Sequence, residues 1–195
     1  MRNIGRSTGI PYQPAVRGLR GEMQLPNQSI PRTQQAVIVP SPPLVALYEP
    51  EIPGNAGAIA RTCGATGAPL HLIGKLGFSF THPKAKRALM DYWQQVDYTI
   101  HPAWPDFAAA TEGRRIWRFT THATRGLWDA DFGPGDVLLF GPESRGLPAD
   151  LLDAEPELCV RIPMRPETRS LNLSTAVGVA LYEALRRINH ASQKG

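Results

Sequence analysis

Leu44-Val45-Ala46-Leu47-Tyr48, Glu49-Pro50-Glu51-Ile52-Pro53-Gly54, Asn55-Ala56-Gly57-Ala58-Ile59-Ala60-Arg61-Thr62-Cys63, Gly67 and Pro69-Leu70-His71-Leu72-Ile73 form the stretch that decides the fold. Its first five residues are an apolar run of the kind that makes a parallel strand buried on both faces. A proline-rich turn follows. Asn55 then occupies an expected helix N-cap, and Ala56, Ile59, Ala60 and Cys63 fall at i, i+3, i+4 and i+7, one face of a helix. Gly67 supplies the stop, and Pro69–Ile73 is the next strand. Strand, helix and strand in about thirty residues make one βαβ unit.

The alternation continues downstream. Short helices are expected over Lys84–Asp91, Trp104–Thr111 and Pro148–Leu152, and strands over Tyr98–Ile100, Arg115–Phe119, Val137–Phe140 and Leu158–Ile162. A long helix from about Leu173 to Ile188 puts Leu173, Ala176, Val177, Ala180, Leu181, Ala184, Leu185 and Ile188 on one stripe. Strands alternating with helices predict an α/β fold with a mainly parallel sheet. The first turn carries Gly54 and Gly57 without the G-x-G-x-x-G spacing, and no acidic residue closes the second strand, which argues against a dinucleotide fold.

Upstream the pattern is different. Residues 1–43 hold seven of the nineteen prolines and keep no helical or strand period, so they are expected to be a disordered leader, with the domain running over residues 44–195. The leader has five arginines against one glutamate, a net +4 that equals the charge of the whole chain. Residues 44–195 therefore balance at zero, and global charge carries no argument for nucleic-acid binding; local clusters must. The candidates are Lys84, Lys86 and Arg87, then Arg114 and Arg118, then Arg165 and Arg169. No apolar run reaches the ~18 residues of a membrane span. Cys63 and Cys159 lack metal-ligand spacing and read as buried thiols of a reducing compartment.

In an open α/β sheet, ligands bind beyond the carboxyl ends of the strands. Three loops of unusual composition stand there: 49–61, 141–148 and 163–174. Gly141-Pro142-Glu143-Ser144-Arg145-Gly146-Leu147-Pro148 has two glycines and two prolines in eight residues, which specify a backbone path. Its Glu143 is either a cap for the helix near Pro148 or a partner for a cationic ligand. Ile162-Pro163-Met164-Arg165-Pro166-Glu167-Thr168-Arg169-Ser170-Leu171-Asn172-Leu173-Ser174 mixes apolar, hydroxyl and amide groups ahead of the long helix. Ser170, Asn172 or Ser174 can cap that helix, and the rest of the loop offers backbone groups and apolar faces to a flat heterocycle.

These three segments, in this order and at strand ends, resemble the motifs of the SPOUT 2'-O-ribose methyltransferases. Within them they are most similar to the small tRNA (cytidine/uridine-2'-O-)methyltransferases that act at the wobble position. The likeness covers roughly residues 44–190. It implies helices on both faces of the parallel sheet and a C-terminal trefoil knot, a feature nearly absent from proteins at large. It implies S-adenosyl-L-methionine as cofactor, contacted by Phe119, Gly141, Ile162 and Ser170 with Thr120, Leu171 and Leu173 beside them. It places Arg61 and Tyr182 in the catalytic region, and Asn55, Glu143, Arg165, Arg169 and His122 toward the RNA. His122 is a departure, since relatives place a lysine after Thr120-Thr121. The expected partners are tRNA and a second copy of the chain, joined through the long helix and the Asn55 helix, in the cytoplasm, with no membrane and no metal. The same reaction on ribosomal RNA, or RNA binding without turnover, are the alternatives.

Overall fold

A computed structural model describes residues 41–79 and 96–193, all within the compact unit Ala36–Gly195. The expected leader up to residue 40, the expected helix Lys84–Asp91 and its cations Lys84, Lys86 and Arg87 lie outside the described residues.

Six strands, β1 Leu44–Tyr48, β2 Leu70–Ile73, β3 Tyr98–His101, β4 Ile116–Phe119, β5 Val137–Phe140 and β6 Cys159–Val160, form one sheet in the order β3-β2-β1-β5-β4-β6. Every pairing is parallel. The helices are α1 Pro53–Thr66, α2 Trp104–Ala110, α3 Ala149–Asp153 and α4 Leu173–Ser192. Short 3-10 turns occupy Leu127–Asp129 and Pro156–Leu158.

Successive side chains of a strand point to opposite faces, and the core divides accordingly. Val45, Leu47, Leu70, Leu72, Trp117, Phe119, Leu138 and Phe140 pack with α1 and α4 on one face. Leu44, Ala46, Ile73, Val137 and Leu139 pack with Phe107 of α2, Leu147 and Leu152 on the other. The expected face of α1 is the buried one: Ala56, Ile59, Ala60 and Cys63 have no exposure. Leu173, Val177, Ala180, Leu181, Ala184 and Ile188 of α4 are buried, with Ala176 and Leu185 partly so.

Several expectations are corrected. Helix α1 starts two residues before Asn55, with Ile52 at the N-cap and Pro53 at the first helical position, where its missing N–H costs nothing. Gly67 ends the helix in the left-handed conformation, φ 73°. The last strand is shorter than the apolar run suggested. Beyond Val160, Arg161 leaves β4 and bridges to Gly126 instead. Thr120 N–H donates to the Val160 carbonyl at 3.0 Å, while Leu127 N–H donates to the Arg161 carbonyl at 2.9 Å. The chain thus emerges between two stretches of the loop that leaves β4.

Candidate functional site

The loops at the carboxyl ends of β1, β4, β5 and β6 enclose a cavity of about 610 Å³. Phe119, Phe140, Leu147, Val160, Ile162 and Leu173 supply its apolar wall, and Thr120, Thr121, Ser144, Ser170 and Asn172 its polar one. The Phe119 and Phe140 rings stack at 4.4 Å, which fixes the floor where β4 and β5 end. Gly141 begins the β5 loop so tightly that a Cβ there would lie 2.3 Å from the Gly146 carbonyl carbon. No other residue fits that crossing.

One hydrogen-bonded chain ties three loops together. The Glu143 carboxylate accepts from the N–H groups of Glu51 at 2.9 Å and Ile52 at 3.3 Å, and from Asn55 Nδ2 at 2.9 Å. Asn55 Oδ1 in turn accepts from Asn172 Nδ2 at 2.9 Å. Asn172 Oδ1 caps α4, accepting from the N–H groups of Ser174 at 2.9 Å and Thr175 at 3.3 Å. Glu143 therefore does not cap the helix near Pro148; it holds the turn that leads into α1 and the Asn55 side chain of that helix's first turn. Its negative charge sits just ahead of α1, at the positive end of the helix dipole.

A second lacing runs beside the first. Ser144 N–H and Oγ donate to Glu51 at 3.0 and 2.7 Å, and Arg145 Nη1 donates to the same carboxylate at 3.1 Å. Arg145 also pairs with Glu49. The Ser144 hydroxyl holds the Glu51 carboxyl below the usual carboxylate range. Glu49 itself has φ 44°, a left-handed conformation that a non-glycine residue adopts at a cost. Nothing local in the sequence signals this clamp, because its partners stand more than ninety positions apart.

The cavity gathers most of the residues singled out in the sequence. Phe119, Thr120, Gly141, Ile162, Ser170, Leu171 and Leu173 line it, as do Asn55, Glu143, Arg169 and His122. Arg165 is exposed and does not line it. Arg61 and Tyr182 are also outside it, exposed on α1 and α4. Arg118, read as an RNA contact, is 3% exposed, and its guanidinium pairs inward with Glu155 at 2.5 Å. A strand residue on a covered face cannot reach a ligand in solution, so that reading is withdrawn. Arg114 remains exposed and donates to the Gly135 carbonyl at 2.8 Å.

Residues 42–182, most of the chain, match the model of the SpoU rRNA Methylase family. The chain belongs to this family. Among its curated relatives, the tRNA (cytidine(34)-2'-O)-methyltransferase of Methylovorus glucosotrophus is 45% identical over 148 residues, 75% of this chain and 96% of that protein. A solved structure concerned with the 2-OH methylation of C/U34 on tRNA superposes with a TM-score of 0.73 at 49% identity, over 77% of this chain and 99% of its own. An AdoMet-bound rRNA methyltransferase from Sinorhizobium meliloti matches with a TM-score of 0.67 at 30% identity, over 74% of this chain and 56% of its own. The present SpoU-family chain places its cavity at the carboxyl edge of the sheet, where three separate segments meet.

Proposed function

We propose that the protein is an S-adenosyl-L-methionine-dependent tRNA 2'-O-ribose methyltransferase acting on the wobble-position cytidine or uridine. The observation that carries this reading is the single cavity built by the 49–55, 141–148 and 162–173 segments, laced together through Glu143, Asn55 and Asn172. The 45%-identical relative named for cytidine 34 favours tRNA over ribosomal RNA as the target.

The cavity fits the proposed cofactor by volume and by chemistry. About 610 Å³ lies within the range of small-molecule sites. Phe119, Phe140, Ile162 and Leu173 offer apolar faces for an adenine ring, while the backbone of residues 141 and 170–171 can hydrogen-bond its edge. Thr120 and Ser170 add hydroxyls. Bound there, S-adenosyl-L-methionine supplies a methyl group on a sulfonium. The protein's part is to align that group with a ribose hydroxyl, exclude water and remove one proton.

A guanidinium offers donors and a positive charge but no acceptor, so the role we assign to Arg61 is to position substrate. It does not line the cavity of its own chain. A second copy, or RNA reaching across the surface, must bring it to the site. A homodimer through the outward sides of α1 and α4 is consistent with Val179 at 42% and Tyr182 at 58% exposure, large apolar side chains on one helix face. Arg169, which lines the cavity, and the exposed Arg165 of the same segment are the cations proposed to hold phosphates, whereas Arg114 precedes β4 at the opposite edge of the sheet. The trefoil knot is supported by the passage of Val160–Arg161 between Thr120 and residues 125–127. The proposed start of the domain at residue 44 is supported by the family match, which begins at residue 42. A tRNA substrate supports the cytoplasm as the proposed compartment.

The test is methyl transfer from labelled cofactor into bulk tRNA and ribosomal RNA, followed by nucleoside mapping. Label in 2'-O-methylcytidine or 2'-O-methyluridine at position 34 of tRNA is expected. Incorporation confined to ribosomal RNA overturns the wobble assignment.

A further inference from the structure

The loop after β5 is closed at its base and held at its tip. At the base, a Cβ on Gly141 would lie 2.3 Å from Leu147 N, and Gly146 N–H donates to the Pro142 carbonyl at 2.9 Å. Residues 142–146 thus form a closed turn, and Gly141, Glu143 and Leu147 carry it into the cavity wall. At the tip, Ser144 and Arg145 both bond to Glu51, and Arg145 bonds to Glu49 as well.

The segment that receives them, residues 49–51, is braced from behind. Glu49 N–H donates to the Ile73 carbonyl at 2.8 Å, and Gly77 N–H to the Pro50 carbonyl at 2.9 Å. Gly77 lies so near that a Cβ there would stand 2.7 Å from Glu51 Cα. Glu49 keeps φ 44°, a conformation that persists only where its surroundings over-determine it. Strands β1 and β5 are neighbours, with Leu47 opposite Phe140, so the braced segment and the closed turn leave the sheet side by side. Arg145 joins them, and it lines both the cavity and a smaller cleft formed with Glu49, Glu51, Lys75 and Gly77.

We infer that Arg145 is a positioning residue for cofactor binding: through Glu49 and Glu51 it holds the 141–148 loop in the shape that receives S-adenosyl-L-methionine. The physical ground is pre-organisation. A loop already held in place loses little further freedom when the ligand enters, whereas a released loop must be ordered at the expense of affinity. The Arg145 side chain is 55% exposed, and exposed ion pairs contribute little to global stability. The effect of this clamp therefore belongs to the site more than to the fold. A planar guanidinium can engage two carboxylates in fixed directions, which an ammonium on a flexible stem does poorly.

This inference rests on the methyltransferase reading, and the experiment separates the two. Titration calorimetry with S-adenosylhomocysteine compares the unaltered protein with Arg145→Ala, Arg145→Lys, the pair Glu49→Gln with Glu51→Gln, and the triple variant. Urea midpoints are measured on the same proteins. Arg145→Ala and the glutamine pair should each lose about tenfold in affinity, with Arg145→Lys between them and the unaltered protein. The triple variant should lose no more than the worse of the two, because both break the same clamp. In transfer assays the loss should fall on KM for S-adenosyl-L-methionine more than on kcat. Losses that multiply in the triple variant overturn the inference, since they mark an arginine that touches the ligand directly. So do a glutamine pair within about twofold of the unaltered affinity, urea midpoints that fall in step with affinity, or a loss confined to kcat. Should Arg145→Ala not fold, Arg145→Lys and the glutamine pair decide by the same criteria. No binding by the unaltered protein defeats the methyltransferase reading itself, and the inference with it.

Discussion

Asn55 and Asn172, 117 positions apart, are joined side chain to side chain at 2.9 Å. Through Asn55 the bond continues to Glu143 on a third loop, so the start of α1, the β5 loop and the cap of α4 behave as one unit. Asn55 is 9% exposed, and neither partner can turn to water without giving up another bond.

Asn55→Ala should therefore cost about 1–3 kcal/mol of stability, the penalty for buried polar groups left unpaired. It should also weaken S-adenosylhomocysteine binding, because the loops that shape the cavity lose their common tie. Urea denaturation and titration calorimetry measure the two effects. Unchanged affinity alongside reduced stability would show that the chain of amides supports the fold without shaping the cavity.

Arg61→Ala should abolish methyl transfer, and because Arg61 is exposed on α1, on the side proposed for the dimer, sedimentation is measured alongside: loss of transfer with the dimer intact marks a role at the site. Full activity in that variant removes Arg61 from the mechanism. Val179→Asp provides the complementary case. A charge at that exposed α4 position should disrupt a helix-face dimer and reduce transfer with it, and an unaltered oligomeric state would place the dimer surface elsewhere.

Arg118 is buried with its Nε unpartnered, and its partner Glu155 is 47% exposed at the side chain. Replacing a buried cation by an apolar residue of similar length is often neutral or stabilising. Arg118→Met should change stability by no more than about 1 kcal/mol and leave tRNA affinity untouched. A drop in tRNA affinity would restore the RNA contact that the fold denies it.

His71 Nδ1 and His101 Nε2 lie 2.8 Å apart on the α2 face, with Phe107 edge-on to both rings. Burial, with the neighbouring His101 next in weight, pushes the His71 imidazole down to about 4; burial likewise lowers His101. Asp97 opposes the shift at His71, Arg114 adds to it, and Asp106 opposes it at His101. In the unfolded chain both rings take up protons near pH 6.5, so below that value the unfolded state binds more protons than the folded one. The contribution is fully present above pH 6.5 and is lost as the pH falls toward about 4. The unfolding free energy from urea titrations should drop by an amount on the order of 1–3 kcal/mol across that window, and the double variant His71→Leu, His101→Leu should flatten the dependence. An equal slope in that variant would assign the acid sensitivity to other groups.

The elements were legible in the sequence because local periodicity reports which side of a helix or strand is buried. Val137–Phe140 and the stripe of α4 appear where the pattern placed them. The start of α1 is set locally by Pro53 rather than by Asn55, whereas the end of the Leu158–Ile162 run is set by Gly126, a partner far away in the chain. Arg118 was misread for the same reason: one arginine in an apolar strand carries no mark of whether a distant carboxylate awaits it.

The sequence by itself determined the alternation of strands and helices, the three unusual loops and the family likeness that they carry. Only the tertiary structure decided that Glu143 holds the turn before α1, that Asn55 joins Asn172, and that Arg145 is held by Glu49 and Glu51. The division has a physical basis. Hydrophobic periodicity is written along a single element, whereas a hydrogen bond between loops about ninety or more residues apart exists only once the sheet has set their strand ends side by side.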